Sequence, residues 1–235
     1  MKDLFGKAML DYQTHNSPEN IVTETNISEP DEMSISYLFR SYNDMPVLEQ
    51  KALSLAYGKV LDVGCGAGSH ALYLQNHKNL EVMAIDISAQ AIETCKLRGL
   101  KNVQIQNILH LENSKFDTIL LLMNGTGIFQ SLDQISHYLN KLKSLLNPKG
   151  QILIDSSDII YMYDDHDDGS KWIPMNDYYG ELVFTISYKN QKEIPFKWLY
   201  LDYNTFQNAA HDKGFKIDLV QEGTHYDYLA RLTLD

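Results

Sequence analysis

The feature that most constrains this chain is the stretch Val60-Leu61-Asp62-Val63-Gly64-Cys65-Gly66-Ala67-Gly68-Ser69-His70. It starts as a short apolar run rich in β-branched residues, which predicts a buried strand. Glycines spaced two apart then break the run, and Ala71-Leu72-Tyr73-Leu74 resumes as a helix. A strand, a glycine loop and a helix in that order form a ligand-binding turn of an open α/β sheet. The glycines let the backbone turn sharply and keep side chains from holding a ligand away from it. The helix that follows points its free N–H groups at the same place.

The spacing is Gly-x-Gly-x-Gly, whereas the dinucleotide fingerprint is Gly-x-Gly-x-x-Gly. A second strand, Glu81-Val82-Met83-Ala84-Ile85, ends at Asp86. That carboxylate lies roughly twenty residues on, the distance at which an acid grips a ribose through its hydroxyls. Loop and acid together point to a nucleoside-containing ligand far more sharply than either does alone.

With these residues the chain resembles the class I S-adenosylmethionine-dependent methyltransferases. Val60 to Gly68 is similar to their first motif and Met83-Ala84-Ile85-Asp86-Ile87 to their second. Phe116-Asp117-Thr118-Ile119-Leu120-Leu121-Leu122-Met123 resembles their fourth-strand motif, and Leu145-Leu146-Asn147-Pro148-Lys149-Gly150-Gln151-Ile152-Leu153-Ile154 the motif leading into the fifth strand. The four stand in family order over residues 58 to 158. The resemblance implies an α/β fold: a Rossmann-like, doubly wound, mainly parallel seven-stranded sheet with a C-terminal antiparallel strand. It also implies S-adenosylmethionine as cofactor and S-adenosylhomocysteine as product, and leaves the methyl acceptor open.

The same resemblance implies a cofactor site. Its residues here are Asp62, Gly64, Cys65, Gly66, Gly68, Asp86, Ile87, Asn107, Ile108, Met123, Asn124 and Gly125, with Arg40 joining from the N-terminal segment. Many members carry an acid near position 107 that bonds the adenine amino group; here the amide oxygen of Asn107 stands in its place. Arg40 either pairs with the methionine carboxylate of the cofactor in bidentate fashion or lies over a helix surface. Cys65 reads as a small residue that fits the loop, because methyl transfer from a sulfonium needs no protein nucleophile. His70 reads as a helix-end histidine beside the loop.

Bulk properties narrow the partners. A length of 235 residues and 44% hydrophobic content suit one α/β domain with additions. The net charge of −11, with no basic stripe, argues against DNA or RNA as substrate. No apolar run is long enough to cross a bilayer, and Met1 to Lys7 lack the apolar core of a secretory signal. The 2 cysteines, Cys65 and Cys95, make no disulfide framework, which places the chain in the cytoplasm. The expected partner is a small-molecule acceptor, with the protein a monomer or homodimer.

The division read from the sequence is a helical lid over 1–57, a cofactor-binding core over 58–158, an inserted loop and β-hairpin over 159–203, and a closing helix with two strands over 204–235. Asn16 to Asn20 and Ser28 to Glu32 read as turn clusters. Ser131-Leu132-Asp133-Gln134 reads as a capping box ahead of a helix with a core-facing apolar stripe. In the insertion, Leu182, Phe184, Ile186 and Tyr188 alternate with more polar neighbours, as do Phe196, Trp198 and Tyr200, which predicts a hairpin. It is placed to roof the acceptor pocket, with a subunit interface as the alternative. Asn-Pro-Pro-Tyr and Pro-Cys motifs of amine- and cytosine-modifying relatives are missing after the fourth strand. His166, Asp158 and Tyr163 are base candidates by position alone, and the run Asp164-Asp165-His166-Asp167-Asp168 reads as a solvated loop in preference to a metal site. Two rival functions remain, a non-catalytic S-adenosylmethionine-binding module and a nicotinamide-dependent oxidoreductase.

Overall fold

A strand buried in a parallel sheet is mostly apolar on both faces, and the strand that carries the glycine loop is so at Val60, Leu61 and Val63, with Asp62 the exception. In the computed structural model, which describes residues 2–163 and 178–234, it spans Lys59–Val63 and is buried from Val60 onward. Preceding it are β1 (Ile21–Thr25) and β2 (Ser28–Met33), so it is β3. The remaining strands are β4 (Glu81–Asp86), β5 (Val103–Ile105), β6 (Phe116–Leu121), β7 (Leu146–Ser157), β8 (Glu181–Tyr188), β9 (Gln191–Lys192), β10 (Phe196–Leu199), β11 (Lys216–Glu222) and β12 (Asp227–Thr233). The helices are α1 (Leu4–Gln13), α2 (Val47–Leu55), α3 (Ser69–Asn76), α4 (Ala89–Leu97), α5 (Leu132–Leu145) and α6 (Tyr203–Asp212).

Seven strands form one sheet in the order β11-β12-β7-β6-β3-β4-β5. The pairs from β7 to β5 are parallel, and β12 runs antiparallel to β7 and β11 to β12. Alternation sends Leu61, Val63, Ile119 and Ile152 to one face, against Leu139 and Leu142 of α5 and Phe206 of α6. Val60, Ala84, Leu120 and Leu153 face the other side, against Leu53 of α2, Leu74 of α3 and Ile92 of α4. The strand order reverses between β3 and β6, which places the ligand crevice at the carboxyl ends of β3 and β4.

The N-terminal segment supplies more than the helices expected of it. It contributes β1 and β2 to a second sheet ordered β10-β8-β1-β2, with β9 also on β8. Ser28 to Glu32, read as a turn, is therefore an edge strand; Pro30 is tolerated because only one side of an edge strand is paired. The hairpin of β8 and β10 forms in the expected alternation, with Phe196 opposite Phe184 and Trp198 opposite Leu182. The capping box does not form. Ser131 makes no side-chain cap, and Glu181 of β8 accepts the Leu132 N–H at 2.8 Å instead.

A third apolar cluster joins Leu4, Ala8 and Met9 of α1 to Ala67 of the glycine loop, Ala91 of α4, and Ile186 and Tyr188 of β8. One buried carboxylate ties this cluster together. Asp11 accepts from Lys189 Nζ at 2.8 Å, Tyr188 Oη at 3.0 Å, Asn16 Nδ2 at 2.8 Å and Lys7 Nζ at 3.1 Å. Burial works to raise its pKa, but these donors outweigh burial and hold the carboxyl well below the usual range. Its stabilising effect is present above the unfolded pKa near 4 and is lost as pH falls through the lower folded value. Asp11→Ala should cost about 1.5–3 kcal/mol in urea denaturation near neutral pH, as loss of charge-assisted bonds does; an unchanged midpoint would show that α1 and β8 are held by apolar contact alone.

Candidate active site

The loop after β3 gets its shape from backbone bonds that a side chain would obstruct. Gly64 N–H and Cys65 N–H both reach Ile85 O, at 2.9 and 3.1 Å, which ties the end of β3 to β4. Gly64, Gly66 and Gly68 take φ of 70°, 51° and 81°, in the left-handed region that suits glycine. A Cβ on Gly68 would also stand 2.6 Å from Leu100 Cδ1 and 2.9 Å from Cys95 Sγ, so that glycine permits α4 to close on the loop. Cys65 is buried with its Sγ 3.8 Å from Cys95 Sγ, and the contact with Cys95 together with burial pushes its thiol pKa well up. A thiol so placed is a packing group.

Asp86 closes β4 where the sequence places it. One oxygen accepts Gly66 N–H at 2.9 Å and the other accepts Ser88 N–H at 2.9 Å. Burial raises its pKa against these bonds. Each oxygen keeps a further lone pair. Beside it Ile87 is 58% exposed, an uncovered apolar side chain at the rim of the crevice. Next along the edge, Asn107 has its amide oxygen on Leu109 N at 2.9 Å, where it caps the turn after β5. The oxygen expected to meet adenine therefore already has a partner. Ile108 points into the core, leaving only its backbone at the crevice.

Across the switch, β6 is followed by Met123 and Asn124 with φ of 67° and 57°, two consecutive left-handed residues that are not glycine. Asp155, at the end of β7, holds them there. It accepts Met123 N–H at 3.0 Å and Gly125 N–H at 2.8 Å. The Asn124 amide donates to Leu199 O and accepts from Ser156 Oγ. The Trp198 ring lies against Gly127 with no room for a Cβ, so β10 is seated on this same turn. Burial pushes the Asp155 carboxyl up to about 6.

Arg40 is buried, but not as a free clamp. Its Nη2 donates to both oxygens of Glu49 and its Nη1 to Tyr37 O, which leaves Nε as the one donor without a partner. His70 Nε2 bonds Glu49 Oε2 at 2.7 Å from the first turn of α3. Glu49, absent from the sequence reading, thus joins two candidates; only its place in the first turn of a helix with a buried face hints at it. Asp155 and Arg98 were likewise missed. Arg98 donates to Ala67 O at 2.6 Å and lies over the Phe39 ring, bracing the loop from behind. Among the base candidates, Asp158 accepts from Tyr179 Oη and Tyr163 Oη donates to Tyr179 O, so both brace the insertion. His166 and the acidic run 164–168 lie outside the described residues. Among the described residues no cluster of His, Cys, Asp and Glu is placed to hold a metal. A surface hollow lined by Pro18, Glu19, Tyr188 and Lys192 shares no residue with this edge.

Comparison with known proteins shows which family the chain belongs to. Residues 56–208 match the model of a family described as a methyltransferase domain. The chain belongs to this methyltransferase family. An S-adenosylmethionine-dependent methyltransferase from Bacteroides fragilis, solved in complex with S-adenosyl-L-homocysteine, is 44% identical with a TM-score of 0.92 over 99% of this chain and 95% of that one. One from Clostridium acetobutylicum is 18% identical, with a TM-score of 0.62 over 82% of this chain and 93% of that one, and shows the shared fold. No curated protein matches. The protein is accordingly an S-adenosylmethionine-dependent methyltransferase.

The residues present fit that cofactor. In this methyltransferase the floor of the crevice holds a buried acid, Asp62, 2% exposed, whose Oδ2 has no partner. Such an atom suits an ammonium group. Burial raises the Asp62 carboxyl to about 6, with His70 pulling it down and Asp86 pushing it up. Because the folded pKa exceeds the unfolded one, the ionised form costs stability above about pH 6 and the cost vanishes below about pH 4. Asp62→Asn should therefore stabilise the cofactor-free protein near neutral pH by up to about 3 kcal/mol, a gain absent below about pH 4. Urea denaturation at both pH values checks this, and destabilisation at neutral pH would contradict it.

Proposed function

We propose that this methyltransferase acts on a small-molecule acceptor in the cytoplasm, as a monomer or homodimer, without a nucleic-acid or membrane partner. What supports this reading is the seating of the second sheet, which packs on the turn after β6 through Trp198 and Gly127, next to Asn124 and Gly125. No helix among the described residues is long and apolar enough to cross a membrane.

The division of labour follows the strand ends. Asp86 accepts the two ribose hydroxyls while its backbone bonds keep it aimed. The bare loop Gly64 to Gly68 carries the methionine portion, with the Asp62 carboxylate under the ammonium. The free Nε of Arg40 is the donor left for the carboxylate, in place of the bidentate pairing that Glu49 prevents. Ile87 and the backbone at Asn107 and Ile108 border the adenine, and Met123 to Gly125 border the methyl. S-adenosylmethionine supplies that methyl already activated by its positive sulfur. The chain's own task is to bind, align and exclude water, and alignment alone is worth about 7–11 kcal/mol of barrier.

Asp86→Ala removes bonds to a charged acceptor worth about 1.5–3 kcal/mol, so affinity for S-adenosylhomocysteine should fall at least about tenfold. Calorimetric titration of both proteins tests it; equal affinities would take Asp86 out of the site.

A further inference from the structure

We propose that Glu49 is a positioning residue of the cofactor site: it holds Arg40 and His70 in one buried network that presents a single guanidinium N–H to the carboxylate of the cofactor's amino-acid tail. This rests on the cofactor placement proposed above.

Three elements meet at Glu49. Arg40 follows the short turn Ile35–Phe39, Glu49 stands in the first turn of α2, and His70 stands in the first turn of α3, directly after the glycine loop. All three side chains are buried. Oε1 of Glu49 accepts from Arg40 Nη2, while Oε2 accepts from the same nitrogen and from His70 Nε2 at 2.7 Å. Burial works to raise the Glu49 carboxyl pKa, and the bonds from His70 and Arg40 outweigh it. An ionised carboxylate only accepts, so His70 donates from Nε2. Both Glu49 oxygens are engaged inside the protein. This acid therefore acts through its partners.

The two ends of the network are open. Arg40 Nη1 donates to Tyr37 O at 2.7 Å, and the guanidinium lies over the Tyr37 ring at 4.2 Å. With both terminal nitrogens engaged, Nε is a buried donor without a partner among the described residues. At the other end Asp62 accepts the N–H of Ala71, the neighbour of His70, and its Oδ2 is a buried acceptor without a partner. A donor and an acceptor withdrawn from water and left unpaired match the carboxylate and ammonium of an α-amino acid. Glu49 and His70 lie between them.

Stability alone does not explain the pair, because a buried ion pair can be exchanged for apolar side chains at little or no cost. The exchange would remove the aim of Nε. A free arginine side chain has much rotamer freedom to lose on binding. The Glu49 bonds impose that loss in the empty protein, so the tail meets a donor already in place.

The test titrates wild type and Glu49→Gln calorimetrically with S-adenosylhomocysteine and with 5′-methylthioadenosine, which keeps the nucleoside and the sulfur but lacks the amino-acid tail. Glu49→Gln should weaken S-adenosylhomocysteine at least about tenfold and change 5′-methylthioadenosine by less than about twofold. Comparable losses for both ligands would show that Glu49 only supports the fold, and an unchanged affinity for S-adenosylhomocysteine would show no role at the tail; either overturns the proposal. Should Glu49→Gln fail to fold, the pair is replaced whole, Arg40→Met together with Glu49→Met, an exchange that buried ion pairs tolerate. That protein should show the same loss confined to S-adenosylhomocysteine, and wild-type affinity there would overturn the proposal. A wild type that binds S-adenosylhomocysteine no tighter than 5′-methylthioadenosine would overturn the tail placement itself, and the proposal with it.

Discussion

The rest of the structure depends on one carboxylate. Asp86 takes an N–H from the glycine loop on one oxygen and an N–H from the start of the next helical connection on the other. That fixes the distance between the ends of β3 and β4, and hence the width of the crevice. The bond network runs on from there. Ser88 caps α4 through Ala91 N–H and donates its hydroxyl to Asp3, whose other oxygen caps α1. Helix α1 is thereby anchored to the residue proposed to hold the ribose. The glycine-loop side of the crevice and the start of α1 share one chain of hydrogen bonds.

Strain and buried charge are placed on the same edge. Asp62 and Asp155 both carry a carboxyl raised by burial, and Met123 and Asn124 both sit in left-handed backbone. Each feature costs stability in the empty protein. Asp62 faces the proposed cofactor tail, and Asp155 pins the turn that faces the methyl. Such costs persist where a ligand offsets them.

The parts of the fold that a local pattern dictates were legible in the sequence. The glycine loop, Asp86, the Ser88 cap, the hairpin alternation and the final antiparallel pair each follow from spacing or periodicity within a few residues. What was not legible depends on partners distant in the chain. β2 reads Ser-Glu-Pro-Asp-Glu-Met and is almost wholly exposed, so it becomes a strand only because β1, held by β8, offers it an edge. Ser131 and Gln134 satisfy the capping pattern, yet Glu181 arrives from β8 and takes the helix end. The same holds in the site: Arg40 was visible as a cation near the ligand, but its carboxylate, Glu49, lies on a helix with no motif to mark it. Asn107 matched a family position, and its oxygen also accepts the Leu109 N–H of its own turn.

The most direct measurement is a crystal structure of this methyltransferase grown with S-adenosylhomocysteine. The account predicts both ribose hydroxyls on the Asp86 carboxylate, the ammonium on Asp62 Oδ2, and the sulfur turned toward Asn124. A nucleoside bound elsewhere, or one seated in the crevice with Asp86 still bonded only to Gly66 and Ser88, would contradict it.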